Sequence, residues 1–230
     1  MRLLLIFTVL GMGAASLGAQ ETGEAVIISG GPAIRFFEKN KTSSHDKYWG
    51  NFIDAAALRF QQLRPTLPPG TAFTWIAYRP GYADRGKEMG EDLLASIIAH
   101  ANRLQVKLLW FDRTEQLINY LNAGKNRKAT PVVHFDYFGH SNKACFLFDY
   151  SNEIDGMSTA FLHQRQLSEI KTNIFAPQAL SKSWGCHSGE SYSTAWKKRF
   201  GVPMEGAIGK TDYSHGGLPF LSSEKGSWVQ

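Results

Sequence analysis

Two short segments hold side chains that could do covalent chemistry together. "YFGHS" (Tyr137–Ser141) places His140 after Gly139, and "WGCHSGES" (Trp184–Ser191) places Cys186 after Gly185. A cysteine becomes a nucleophile when a neighbour lowers its pKa or handles protons, and backbone N–H groups must be near for the oxyanion that follows. His140 can meet the first need. Gly139 and Gly185 let the backbone approach a substrate closely. Read alone, each residue also has a plainer role. His140 fits a structural histidine. Cys186 fits a disulfide with Cys145, the only other cysteine of the chain, or a buried thiol.

Both segments follow apolar runs that predict strands. "TPVVHFDYFGHS" (130–141) and "QALSKSWGCHS" (178–188) end on the two boxes. Earlier strands are predicted at 24–31, 71–78 and 106–111, and a later one at 203–211. "KACFLFDYS" (143–151) follows 130–141 after so short a gap that a hairpin is expected. Helices are predicted at 47–63, where Trp49, Phe52, Ile53, Ala56 and Leu63 keep helical spacing, and at 90–104, 112–124, 161–171 and 191–201. Asp112 fits an N-cap with Glu115 completing a capping box, and Gly124 a stop. "RPGYADRGKEMG" (79–90) reads as a polar loop. Strands alternating with helices predict an α/β fold with a mostly parallel central sheet flanked by helices. The functional crevice of such a sheet lies at the carboxyl ends of its strands, where His140 and Cys186 both fall.

The chain has 230 residues, 43% of them hydrophobic, which is enough for a sizeable core. No linker, repeat or low-complexity run divides it. Residues 1–19 read as a signal peptide, with Arg2, an apolar run Leu3–Leu10 and small residues before Ala19. A single domain over 20–230 and a secreted or periplasmic location are therefore expected, with no membrane contact after cleavage. The formal net charge is +5. Its basic residues are scattered apart from Lys125–Lys128 and Lys197–Arg199, which argues against a nucleic-acid surface. Neither GxSxG nor a Walker loop, HExxH or CxxC occurs, and the seven histidines and two cysteines do not fall at zinc spacing, so no metal or cofactor is expected.

The two boxes resemble those of the caspase-like cysteine peptidases. They are most similar to the metacaspases, whose boxes read as an apolar strand into Ser-Gly-His-Gly and then Asp-x-Cys-His-Ser-Gly. Cys186–Gly189 matches the latter as it stands, and legumain and separase carry comparable boxes. The resemblance implies a caspase-like sandwich and an endopeptidase that cleaves peptide or protein substrates through a thioester. In that reading Cys186 is the nucleophile and His140 its dyad partner. The N–H groups of Cys186 and Ser141 bind the oxyanion, with Gly139 and Gly185 beside it. Asp212, with Tyr213 and His215, falls where a specificity pocket is often built. The chain departs from the pattern at Ser141, which stands for Gly, and at Trp184, which stands for an Asp that contacts a basic P1 side chain. Basic P1 specificity is thus not implied, and a catalytically silent domain that binds a peptide or protein is the alternative. His187 is read as structural. Asp136, on one strand face with His134 and His140, is a candidate to orient His140.

Overall fold

The computed structural model describes residues 21–33, 47–149, 160–214 and 216–230. The expected leader and His215 lie outside the described residues. Seven strands form the central sheet in the order β12-β9-β8-β4-β1-β2-β3. Along the chain these are β1 (Gly23–Ser29), β2 (Thr71–Tyr78), β3 (Lys107–Phe111), β4 (Val132–Phe138), β8 (Phe175–Ser183), β9 (Met204–Ile208) and β12 (Ser227–Val229). All neighbours are parallel except β12, which runs antiparallel to β9. The chain builds outward from β1 through β2 to β3, then returns to the other side of β1 for β4, β8 and β9. The strand order therefore reverses between β1 and β4, and crevices form at the carboxyl ends of strands beside such a switch.

Helices cover both faces. On one face lie α1 (Asn51–Leu63) and α3 (Leu93–Leu104). They bury Phe52, Ile53, Ala56, Phe60, Ile97 and Ala101 against Ile27, Trp75 and Phe138. On the other lie α4 (Thr114–Ala123) and α5 (Tyr192–Phe200). Leu117, Leu121, Trp196 and Phe200 there meet Val26, Ile28, Ile76, Phe135 and Tyr137. Alternate strand residues thus feed two cores, and every position of β1 is buried, as a central strand covered on both faces requires. Among the described residues no helix is long and apolar enough to cross a membrane.

Several expectations change. Residues 79–90 are not a loop but α2 (Arg79–Met89), with Pro80 in its first turn and Gly90 closing it at φ +71°. Its buried side is Gly81, Tyr82, Arg85 and Gly86, so no apolar stripe announces it. The expected helix at 161–171 begins instead as a strand, β7 (Phe161–His163). It pairs with β6 (Cys145–Leu147), and a 3-10 turn follows over Gln164–Glu169. The hairpin expected of 130–141 with 143–151 narrows to β5 (His140–Ser141) with β6, in a three-stranded sheet apart from β4. Asp112 pairs with Arg79 rather than capping α4. The Gln116 side chain accepts the N–H groups of Asp112 and Arg113 at 2.7 and 3.1 Å. A short ribbon, β10 (Thr211–Asp212) with β11 (Phe220–Leu221), completes the fold.

The amino end of the sheet is held by Glu24, which is fully buried. Its carboxylate accepts from Arg127 Nη1, Tyr120 OH and Thr74 Oγ1, each at 2.5 Å. One anion thereby joins β1, β2, α4 and the loop into β4. Glu24→Gln leaves Arg127 buried without its counter-charge and is expected to destabilise the protein by about 3 kcal/mol in urea unfolding. The chemistry of Cys186, at the opposite end of the sheet, should be unchanged.

Candidate active site

β4 and β8 set the site. Tyr137 lies opposite Ser183, and pairing runs one residue further, the Trp184 N–H donating to Tyr137 O at 2.9 Å. The Phe138 and Trp184 rings then stack with centroids 5.6 Å apart. Beyond them the two backbones touch. A Cβ on Gly185 would overlap Ser141 Oγ and come within 2.8 Å of Gly139 O. Gly185 thus leaves the space in which the two loops touch, whereas a Cβ on Gly139 would overlap the Tyr137 hydroxyl.

Ser141 Oγ donates to Cys186 O at 2.6 Å, so the side chain that stands for Gly ties the histidine loop to the cysteine loop. His140 is half-buried at the start of β5. Tyr137 OH reaches its carbonyl at 2.6 Å and that of Leu147 at 3.0 Å. The imidazole packs edge-to-face on Phe52, centroids 5.1 Å apart, and Phe52 meets Tyr213 in the same way at 4.8 Å.

β8 ends at Ser183, so Cys186 sits in a turn rather than in the strand. It is half-buried, and its Sγ accepts the Thr211 N–H at 3.3 Å. Thr211 Oγ1 and Tyr213 OH both donate to Trp184 O, at 2.9 and 3.0 Å, which seats β10 beside the turn. Burial, then the neighbouring Cys186 and Tyr137, push the Tyr213 phenol up. Asp212 shapes this loop, its Oδ1 accepting the Ser214 N–H at 2.7 Å. Cys145 is also a free thiol. It lies on β6 opposite His163, and burial pushes its pKa up.

A cleft of about 340 Å³ opens beside Tyr213, lined also by Tyr48, Asn51, Asp54, Ser214, Gly216 and Gly217. Tyr48 and Asn51 also line a small hollow that reaches Phe52 and His140, so cleft and imidazole adjoin. Asp54 places a carboxylate in the cleft. Burial first, then the Asp54 charge and a hydrogen bond to it, push the Tyr48 phenol up. Nothing in the sequence singled out Asp54, because an acid in the first turn of a helix is what the helix dipole favours anyway.

Asp136 has a different task from orienting His140. It is fully buried and accepts from Arg59 Nε at 2.8 Å, His134 Nε2 at 2.7 Å and Trp184 Nε1 at 3.1 Å. The Trp184 indole thus donates to an acid buried on the neighbouring strand. Burial alone would raise the Asp136 carboxyl, but His134 and Arg59 outweigh it and hold it below its usual value. Its contribution is therefore full above the unfolded value, near pH ~4, and is lost as pH falls through the lower folded value. Asp136→Asn is expected to destabilise by about 3 kcal/mol at neutral pH. Urea midpoints measured from pH 6 down to pH 3 should fall more steeply for the wild type, narrowing the gap.

No protein-family model, curated protein or solved structure matches this chain, so geometry and residue chemistry carry the functional reading.

Proposed function

We propose that this chain is a secreted or periplasmic cysteine endopeptidase of caspase-like fold. The observation that carries the reading is the junction of the loops after β4 and β8. The Ser141–Cys186 bond and the Gly139–Gly185 contact join the loops that carry the imidazole and the thiol, at the carboxyl edge of the sheet and one strand from its switch point. The Cys186 thiolate attacks the carbonyl carbon of the scissile peptide. The N–H groups of Cys186 and Ser141 receive the oxyanion. His140 gives a proton to the leaving amine as the C–N bond breaks, leaving a thioester on Cys186. His140 then takes a proton from water as the water oxygen attacks the thioester and the C–S bond breaks, which releases the carboxylic acid and restores the Cys186 thiolate beside a protonated His140.

Asp54 supports a cationic P1 side chain. It supplies the negative charge that Trp184 removes from the cysteine box, and a lysine or arginine stem can lie along Tyr48 and Tyr213 while its head pairs with the carboxylate. A second reading, a silent domain that binds such peptides without cleaving them, draws on the Thr211 N–H bond that turns Cys186 Sγ toward β10.

Fluorogenic peptides with Arg, Lys, Asp or Asn at P1 test both readings. Cleavage is expected after Arg and Lys and is lost in Cys186→Ala. Asp54→Asn should raise KM about tenfold with kcat little changed, because it removes binding shared by ground and transition states. Turnover that persists in Cys186→Ala would exclude this chemistry. Peptide binding without turnover in the wild type would favour the silent domain.

A further inference from the structure

The residue after Cys186 is strained. His187 sits at φ +60°, a left-handed conformation that non-glycine residues avoid, and such strain clusters at functional sites. Three bonds hold it there. Its N–H donates to Gly209 O at 2.7 Å, its carbonyl accepts the Glu190 N–H at 3.2 Å, and its Nδ1 meets Glu190 Oε1 at 2.5 Å. The other Glu190 oxygen pairs with Lys143 Nζ at 2.6 Å. Lys143 lies in the turn of the hairpin that begins with His140, and its carbonyl accepts from Ser191 Oγ. The Lys143 ammonium first, then His187, hold the Glu190 carboxyl down to about 2, so it is an anion at any working pH. A charged relay therefore runs from the histidine hairpin to the residue that follows the thiol, outside both hydrophobic cores.

We propose that Glu190 is a positioning residue for Cys186: by gripping His187 it keeps the strained turn, and through Lys143 it fixes that turn against the hairpin of His140. The inference rests on Cys186 being the nucleophile. The conformation of His187 sets where the preceding Cα–Cβ bond points, and so holds Sγ in one place against the Thr211 backbone, where it accepts the N–H at 3.3 Å and faces the carbonyl at 3.7 Å. His187→Gly accepts φ +60° without strain and needs no grip. If Glu190 works through His187, its loss should matter only while His187 is present.

The test is the rate of Cys186 alkylation by iodoacetamide against pH, with adducts mapped by mass spectrometry. The proteins are the wild type, Glu190→Gln, His187→Gly and the double variant, each as the full chain. His140, Tyr137 and Tyr213, which also bear on this thiol, are the same in all four. Glu190→Gln is expected to slow Cys186 about tenfold at pH 7 and raise its midpoint, leave Cys145 unchanged, and have less than about a twofold effect beside His187→Gly. An unchanged Cys186 profile, an equal loss in both backgrounds, or faster Cys145 labelling from a loosened domain would each overturn the proposal. The wild-type curve alone judges the nucleophile: a Cys186 no more reactive than Cys145 removes that reading, and this one with it.

Discussion

Parallel pairing of β4 with β8, carried one residue past the strand ends by the Trp184 N–H, fixes where the loops that carry His140 and Cys186 meet. Parallel strands deliver their carboxyl ends to the same edge of the sheet. Tyr137 opposite Ser183 therefore puts Gly139 against Gly185, and His140 and Cys186 follow one residue later on each loop. A slip of one residue in β8 would turn its side chains to the other face of the sheet and part Gly185 from Gly139, because strand side chains alternate with a period of two. What lies around the junction serves that register. Phe138 stacks on Trp184, Ser141 bonds Cys186 O, and β10 is seated on Trp184 O.

Two buried carboxylates hold the two ends of the sheet. Glu24 closes the amino end on Arg127, Tyr120 and Thr74. Asp136 sits one turn of the pleat below the site and joins α1, β4 and β8 through Arg59, His134 and Trp184. Each anion loses its hydration and regains a cation and further donors, the condition under which a charge can be buried. Asp136 thereby explains Trp184. An indole donor at that place fixes the approach of the cysteine loop.

The sequence was most legible where burial is on both faces or strictly periodic. β1, β2 and β4 are near-continuous apolar runs, and α1 keeps its stripe through Phe52, Ile53, Ala56 and Leu63. α2 was illegible because it packs through Gly81, Tyr82 and Arg85. Gly81 lies against Gly31, and Arg85 donates to the carbonyls of Ala33 and Lys47 at 2.9 and 2.6 Å. Phe161–His163 carried helical spacing into a segment whose pairing with β6 decided for a strand. At the proposed site, His140 and Cys186 were singled out by type and place in the chain, and the structure sets them on touching loops. Asp54, Thr211 and the relay through Glu190 were not found, since each gains its meaning only from a contact distant in sequence. Ser141 could be read from the sequence only as a departure from the resembling pattern, and its tie to Cys186 O depends on a contact that only the fold makes.

The central claim is that Cys186 is activated by His140. Its most direct measurement is the alkylation rate of Cys186 against pH in the wild type and in His140→Ala, with the adduct mapped by mass spectrometry. The account predicts a wild-type Cys186 that reacts well below pH 8, the range of an ordinary thiol, and a His140→Ala protein in which that reactivity is gone. A Cys186 that titrates like an ordinary thiol in both proteins would contradict it and leave a binding domain in place of an enzyme.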